Sequence, residues 1–162
     1  MKKTILISSL AITCVIALAS PSAYASGSGE KPVSSNTKAM KTFMQNFPQA
    51  NDVTWSVVEK EPVASFMMAD RKVRCFFSRT GSLASTIIEC SAQHLPFEIQ
   101  VNLNKRFPGY IPQSLTEYIS GNEHAYYVLL KVEQEGFIKW VRVKTDENGR
   151  NILIIQKLQQ TL

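Results

Sequence analysis

The chain has 162 residues, with 18 Lys and Arg against 13 Asp and Glu and two His, a net charge of +5. That balance is too mild for a nucleic-acid binder, whose surface has to neutralise many phosphates. With 44% hydrophobic and 19% charged residues, the composition is that of a chain able to build a core, not of a disordered one.

Residues 1–25 read as a secretory signal peptide. Lys2 and Lys3 form a basic start, residues 4–19 an apolar run, and Ala23-Tyr24-Ala25 supplies small residues before a cut at Ser26. Modification at Cys14, as in a lipoprotein, would split that apolar run and is set aside. The run is too short to span a bilayer, and no other stretch competes with it. The expected product is therefore exported, periplasmic or secreted, without an integral membrane segment. Loss of Lys2 and Lys3 leaves 16 basic residues against 13 acidic ones. Residues 26–35, rich in Gly, Ser, Pro and Lys, read as a flexible leader.

A helix is expected over residues 36–46, where Met40, Phe43, Met44 and Phe47 fall on one apolar stripe. Pro48 ends it by restricting Phe47. Four strands follow, over 52–60, 63–69, 72–78 and 83–90. Their turns are expected at Glu61-Pro62, at Asp70-Arg71 and around Thr80-Gly81. Loops this short allow only antiparallel neighbours in a meander.

The same plan then returns. Pro96 suits a first helical turn, Ile99, Leu103 and Phe107 follow on one stripe, and Pro108-Gly109 stops the helix. Strands are expected over 113–119, 123–133, 137–145 and 150–158, the last two joined by an Asn148-Gly149 hairpin. Phe47-Pro48 and Phe107-Pro108 stand 60 positions apart, and Thr80-Gly81 corresponds to Asn148-Gly149. The expected class is α+β. Residues 36–94 and 95–162 form tandem αββββ repeats of one compact domain, with an antiparallel sheet and two helices packed on one face.

This order of elements, from Phe43, Phe47-Pro48, Val53-Thr54-Trp55 and Phe66 through Cys75-Phe76-Phe77 and Gly81, continues with Leu95-Pro96, Phe107-Pro108, Tyr127-Val128 and Asn148-Gly149. It resembles the PepSY-like, β-lactamase-inhibitor-like (BLIP-like) periplasmic proteins of Bacteroidetes, over about residues 37–158. The resemblance implies tandem α+β units, export, and protein or peptide binding through an exposed sheet face. It implies no enzymatic activity, and the basic balance and the cysteine pair depart from it.

Chemistry is sparse in the sequence. His94 and His124 have no ligand spacing to each other or to a cysteine, and solvated turn positions are their plainer reading. Cys75 has no local base or Cys-X-X-Cys partner. In the hairpin register residue 75 faces 86 and residue 90 faces 71. A Cys75–Cys90 disulfide is thus four residues out of line, and two buried thiols are preferred. Asp70, Glu89, Glu117 and Asp146 show no acid–base spacing, and neither a metal nor a cofactor is implied.

What remains is a surface. If Val141, Val143, Cys75 and Phe77 face the helices, then Trp140, Arg142, Arg74 and Phe76 face outward together, the mixture that protein interfaces favour. The expected function is an exported non-enzymatic binding module that contacts a protein, peptide or envelope polymer through the open sheet face. The alternatives are an envelope structural component acting by self-association and an enzyme of unrecognised type.

Overall fold

A computed structural model of the chain describes residues 37–161. The signal peptide expected over 1–25 and the leader over 26–35 lie outside the described residues. The elements run α1 (Thr37–Asn46), β1 (Asn51–Val58), β2 (Glu61–Met68), β3 (Arg71–Phe77) and β4 (Leu83–Ser91). A 3-10 turn (Ala92–His94) leads to α2 (Phe97–Arg106), followed by β5 (Ile111–Ser120), β6 (Glu123–Gln134), β7 (Phe137–Asp146) and β8 (Leu153–Thr161). All eight strands form one antiparallel sheet in sequence order, so every strand pairs with its neighbours in the chain. This is an α+β fold with both helices over one side of the sheet.

Alternation along the strands makes that side apolar. Under α1, Ala39 and Phe43 pack with Ala64, Phe66, Val73, Cys75, Phe77 and Ile88. Under α2, Ile99 and Leu103 pack with Leu115, Val128, Leu130, Val141 and Val143. Phe43 is the hub of the first core, with ring centroids 5.3 Å from Phe66, 5.5 Å from Trp55 and 5.4 Å from Phe47. Its contacts with Phe66 and Trp55 are edge-on, the arrangement that ring quadrupoles prefer. The expected stripe on α1 needs a correction. Ala39, not Met44, is buried, and Met44 stays 60% exposed.

The reason is a close approach that only small groups permit. Gly81, in the β3–β4 hairpin, has φ +89°, and a Cβ there would lie 2.5 Å from the Lys38 Cβ and 2.8 Å from the Ala39 backbone nitrogen. Gly149, after β7, has φ +69°, and a Cβ there would lie 2.8 Å from the Ile99 Cα. Each helix thus rests its first turns on the glycine of the third hairpin that follows it. A left-handed backbone and the lack of a side chain are both needed at these two positions.

Three turns differ from expectation. The first hairpin turns at Glu59-Lys60, both with positive φ, and not at Glu61-Pro62. Pro62 sits in β2 opposite Val57, at the second residue of the strand, near the end where a missing N–H is tolerated. The second turns at Ala69-Asp70, with Ala69 at φ +56°. The β7–β8 connection is no tight Asn-Gly hairpin. Residues 147–152 form a loop organised by the Asp146 carboxylate, which accepts from the backbone N–H groups of Asn148 and Arg150 and from the Asn151 amide. These bonds, the one from Arg150 foremost, hold the Asp146 carboxyl below the usual carboxylate range.

Two tests follow from these contacts. Gly81→Ala and Gly149→Ala are expected to cost roughly 2–4 kcal/mol of unfolding free energy, strain plus clash. Gly121→Ala, where a Cβ meets open space, should cost only about 1 kcal/mol. Equal losses in a denaturant series would refute the close approach. Because the native Asp146 carboxyl is depressed, its contribution is present above the unfolded-state value and lost as pH falls through the native one. Asp146→Asn is therefore expected to lower stability by a constant amount above about pH 5 and to converge with wild type in stronger acid. A gap that widens with acidity would contradict it.

Candidate binding face

The side of the sheet away from the helices is covered by no described element, and its residues are the strand positions that alternate with the two cores. Its richest part is the β6–β7 hairpin, set by a two-residue turn at Glu135-Gly136 with positive φ at both positions. Directly opposed pairs across it are Tyr127 with Lys144, Leu129 with Arg142, and Lys131 with Trp140. The Lys131 ammonium lies 5.5 Å from the Trp140 ring centroid, and the Lys144 ammonium 5.7 Å from that of Tyr127. Each contact is worth on the order of 0.5–1 kcal/mol at such sites. The lysine stems also shield the rings, so Trp140 and Tyr127 are half-buried.

Lys144 pairs with Glu123 at 2.6 Å, and Lys131 with Glu133. Arg142, between these pairs, is exposed and has no ion pair among the described residues. The outcome is a ladder of two aromatic–cation pairs flanking one guanidinium whose donors are open to a ligand.

The four residues singled out in the sequence do not form one patch. All four lie on strand positions opposite to the buried Cys75, Phe77, Val141 and Val143. Trp140 and Arg142 belong to the β7 ladder, whereas Arg74 and Phe76 are on β3, with β4, β5 and β6 between. At ~4.8 Å per strand that places them roughly 19 Å apart before any offset along the strands. Arg74 is moreover engaged with Glu89. Sequence reasoning missed Tyr127, Leu129 and Lys131, although the hairpin register that follows from the Glu135-Gly136 turn pairs each of them with a β7 residue.

Three clusters outside the ladder carry titratable side chains. Glu117 accepts a 3.1 Å bond from the Tyr126 hydroxyl and lies 2.7 Å from the His124 Nε2, while the His124 Nδ1 lies 3.6 Å from Glu147. Burial, with the Glu117 carboxylate beside it, pushes the Tyr126 hydroxyl up to about 12. His124 is thus a half-buried strut linking β5, β6 and the β7–β8 loop, not the solvated turn residue expected. His94, at 2.7 Å from Asp70, is likewise paired, and its hydrogen bond is the main cause holding the Asp70 carboxyl low. Cys75 and Cys90 are free thiols. Burial raises both, Cys75 to about 11, so neither is a thiolate at neutral pH. Cys75 stands opposite Thr86, as the hairpin register requires.

No group of three or more His, Cys, Asp and Glu among the described residues could hold a metal. No described helix is long and apolar enough to cross a membrane.

No family model matches the chain, and no curated protein does. Solved structures are similar to it. A DUF2874 family protein from Bacteroides ovatus has a TM-score of 0.60 at 14% identity, over 81% of this chain and 89% of that one. A BLIP-like protein from Bacteroides fragilis has a TM-score of 0.60 at 16% identity, over 78% and 86%. A protein from Bacteroides eggerthii, described as a candidate periplasmic protein, has a TM-score of 0.56 at 14% identity, over 76% and 88%. At these identities the likeness speaks for fold, and this chain has the fold of the DUF2874 and BLIP-like proteins of Bacteroides.

Proposed function

We propose that the protein is an exported, non-enzymatic binding module that holds a protein or peptide on its open sheet face, centred on the β6–β7 ladder. The observation that carries this reading is the unpaired Arg142 between two aromatic–cation pairs, on a face that no described element covers. Aromatic rings and arginine are the side chains that dominate interface energetics, because each combines a large contact area with directional polar groups. Export rests on the signal-like residues 1–25, and the candidate periplasmic protein of the same fold is in keeping with it. The two αββββ halves are read as copies of one unit, supported by the helix-on-glycine contact at Gly81 and again at Gly149. The second half then supplies the binding ladder and the first supplies the breadth of the sheet.

Capture from envelope extracts tests the face. Trp140→Ala and Arg142→Ala are each expected to weaken the captured partner by roughly thirtyfold, on the order of 2 kcal/mol. Phe76→Ala, on the same face but outside the ladder, should leave capture within about threefold. Unchanged recovery with both ladder variants, each shown folded by its thermal transition, would remove this face as the site.

A further inference from the structure

The β8 edge is a second feature, beside the ladder and sharing Arg142 with it. β8 pairs with β7 on one side, is the last strand of the sheet order, and has every residue exposed. Leu153, Ile154, Ile155 and Leu158 are between 41% and 60% exposed. Ile155 is a bulge, left unpaired between the Arg142–Gln156 and Val143–Ile154 pairs, so the regular edge runs over residues 156–161. An exposed edge strand is a template for another strand, because its outer row of N–H and C=O groups pairs with no described strand; the stretch 156–161 is polar apart from Leu158.

Charge decides what kind of strand. Residues 150–161 contain Arg150 and Lys157 and no acid. One strand further in, β7 carries Lys139 opposite Gln159 and Arg142 opposite Gln156, and none of these four cations has an ion pair among the described residues. At the loop end Asp146 is engaged by the loop and Glu147 stands beside His124; at the other end, near the Phe137–Thr161 pair, Glu133 is paired with Lys131 and Glu135 lies in the β6–β7 turn. A second β8 laid antiparallel on the first would add cations and bring no carboxylate to offset them. An extended segment with acidic side chains would meet cations on both faces of the sheet, with Leu158 as the aliphatic side chain between them.

We propose that the β8 edge accepts an acidic, extended polypeptide segment as a ninth strand, over residues 156–161. Main-chain pairing supplies affinity irrespective of sequence, and Lys157 with Lys139 on the helix side and Arg142 on the open side select for carboxylates. This edge would work whether or not the ladder binds anything.

The test uses the whole chain and a capped nine-residue peptide of alternating glutamate and valine, read by binding affinity and by amide hydrogen exchange. Protection is expected at 156–161. A peptide with lysine for glutamate is expected to bind at least tenfold more weakly. A glutamate peptide interrupted by prolines, which keeps the charge but cannot pair, should lose binding to a similar extent. Lys157→Glu should weaken the acidic peptide at least tenfold, and Lys157→Gln by an intermediate amount. The proposal is overturned if acidic and basic peptides bind alike, if the proline peptide binds as well as the regular one, or if protection falls on β6 and β7. It is equally overturned if 156–161 become protected in the chain alone as its concentration rises, since the occupant would then be a second copy.

Discussion

The two helices are short, and the sheet they have to cover is wide. Ten residues of helix are about 15 Å long and about 10 Å across, whereas eight strands at ~4.8 Å span about 34 Å. Two helices can cover only part of one side, and their positions follow from where a helix backbone can come closest to the sheet. Gly81 and Gly149 mark those places, because a hairpin with a left-handed glycine leaves room for the Lys38–Ala39 and Ile99 backbones. The registers of both cores follow: Ala39 and Phe43 over β2–β4, and Ile99 and Leu103 over β5–β7. No described element forms a layer on the other side of the sheet.

An uncovered sheet face has to be soluble without losing its strand-forming residues, and the β6–β7 hairpin shows how. Large rings favour the pleated surface, and lysine stems laid across them limit the apolar area that water meets. Glu123 and Glu133 neutralise those lysines, whereas Arg142 between them has no ion pair among the described residues. The same economy appears on the helix side, where Glu117 gathers His124 and Tyr126 into a strut between strands. That network consumes its carboxylate in structure. Burial keeps the Cys75 and Cys90 thiols protonated.

Much of this plan was legible in the residues. The stripe of Ile99, Leu103 and Phe107, the short turns that force a meander, and the opposition of Cys75 to Thr86 all follow from local periodicity and loop length. Features that depend on side chains replacing glycine in turns were not legible. Glu59-Lys60 takes positive φ without Gly or Asn, and the Asp146 carboxylate opens the Asn148-Gly149 turn into a six-residue loop. Met44 lies on the periodic stripe of α1 yet stays exposed, because the helix leans on Gly81 through Ala39. The expected outward set was split by strand order. Alternation gives the face of Arg74 and of Trp140, but only the sequential pairing β3 to β7 gives the distance between them.

The claim on which both the fold and the binding face rest is that one side of the sheet is sealed and the other open. Tyr126 and Tyr127 are adjacent in β6 and point to opposite sides, Tyr126 into the α2 core with its hydroxyl on Glu117 and Tyr127 out beneath Lys144. Chemical nitration of the native protein, read residue by residue by mass spectrometry, compares them within one peptide. The account predicts that Tyr127 is modified at least tenfold faster than Tyr126. Equal rates, or faster modification of Tyr126, would contradict it.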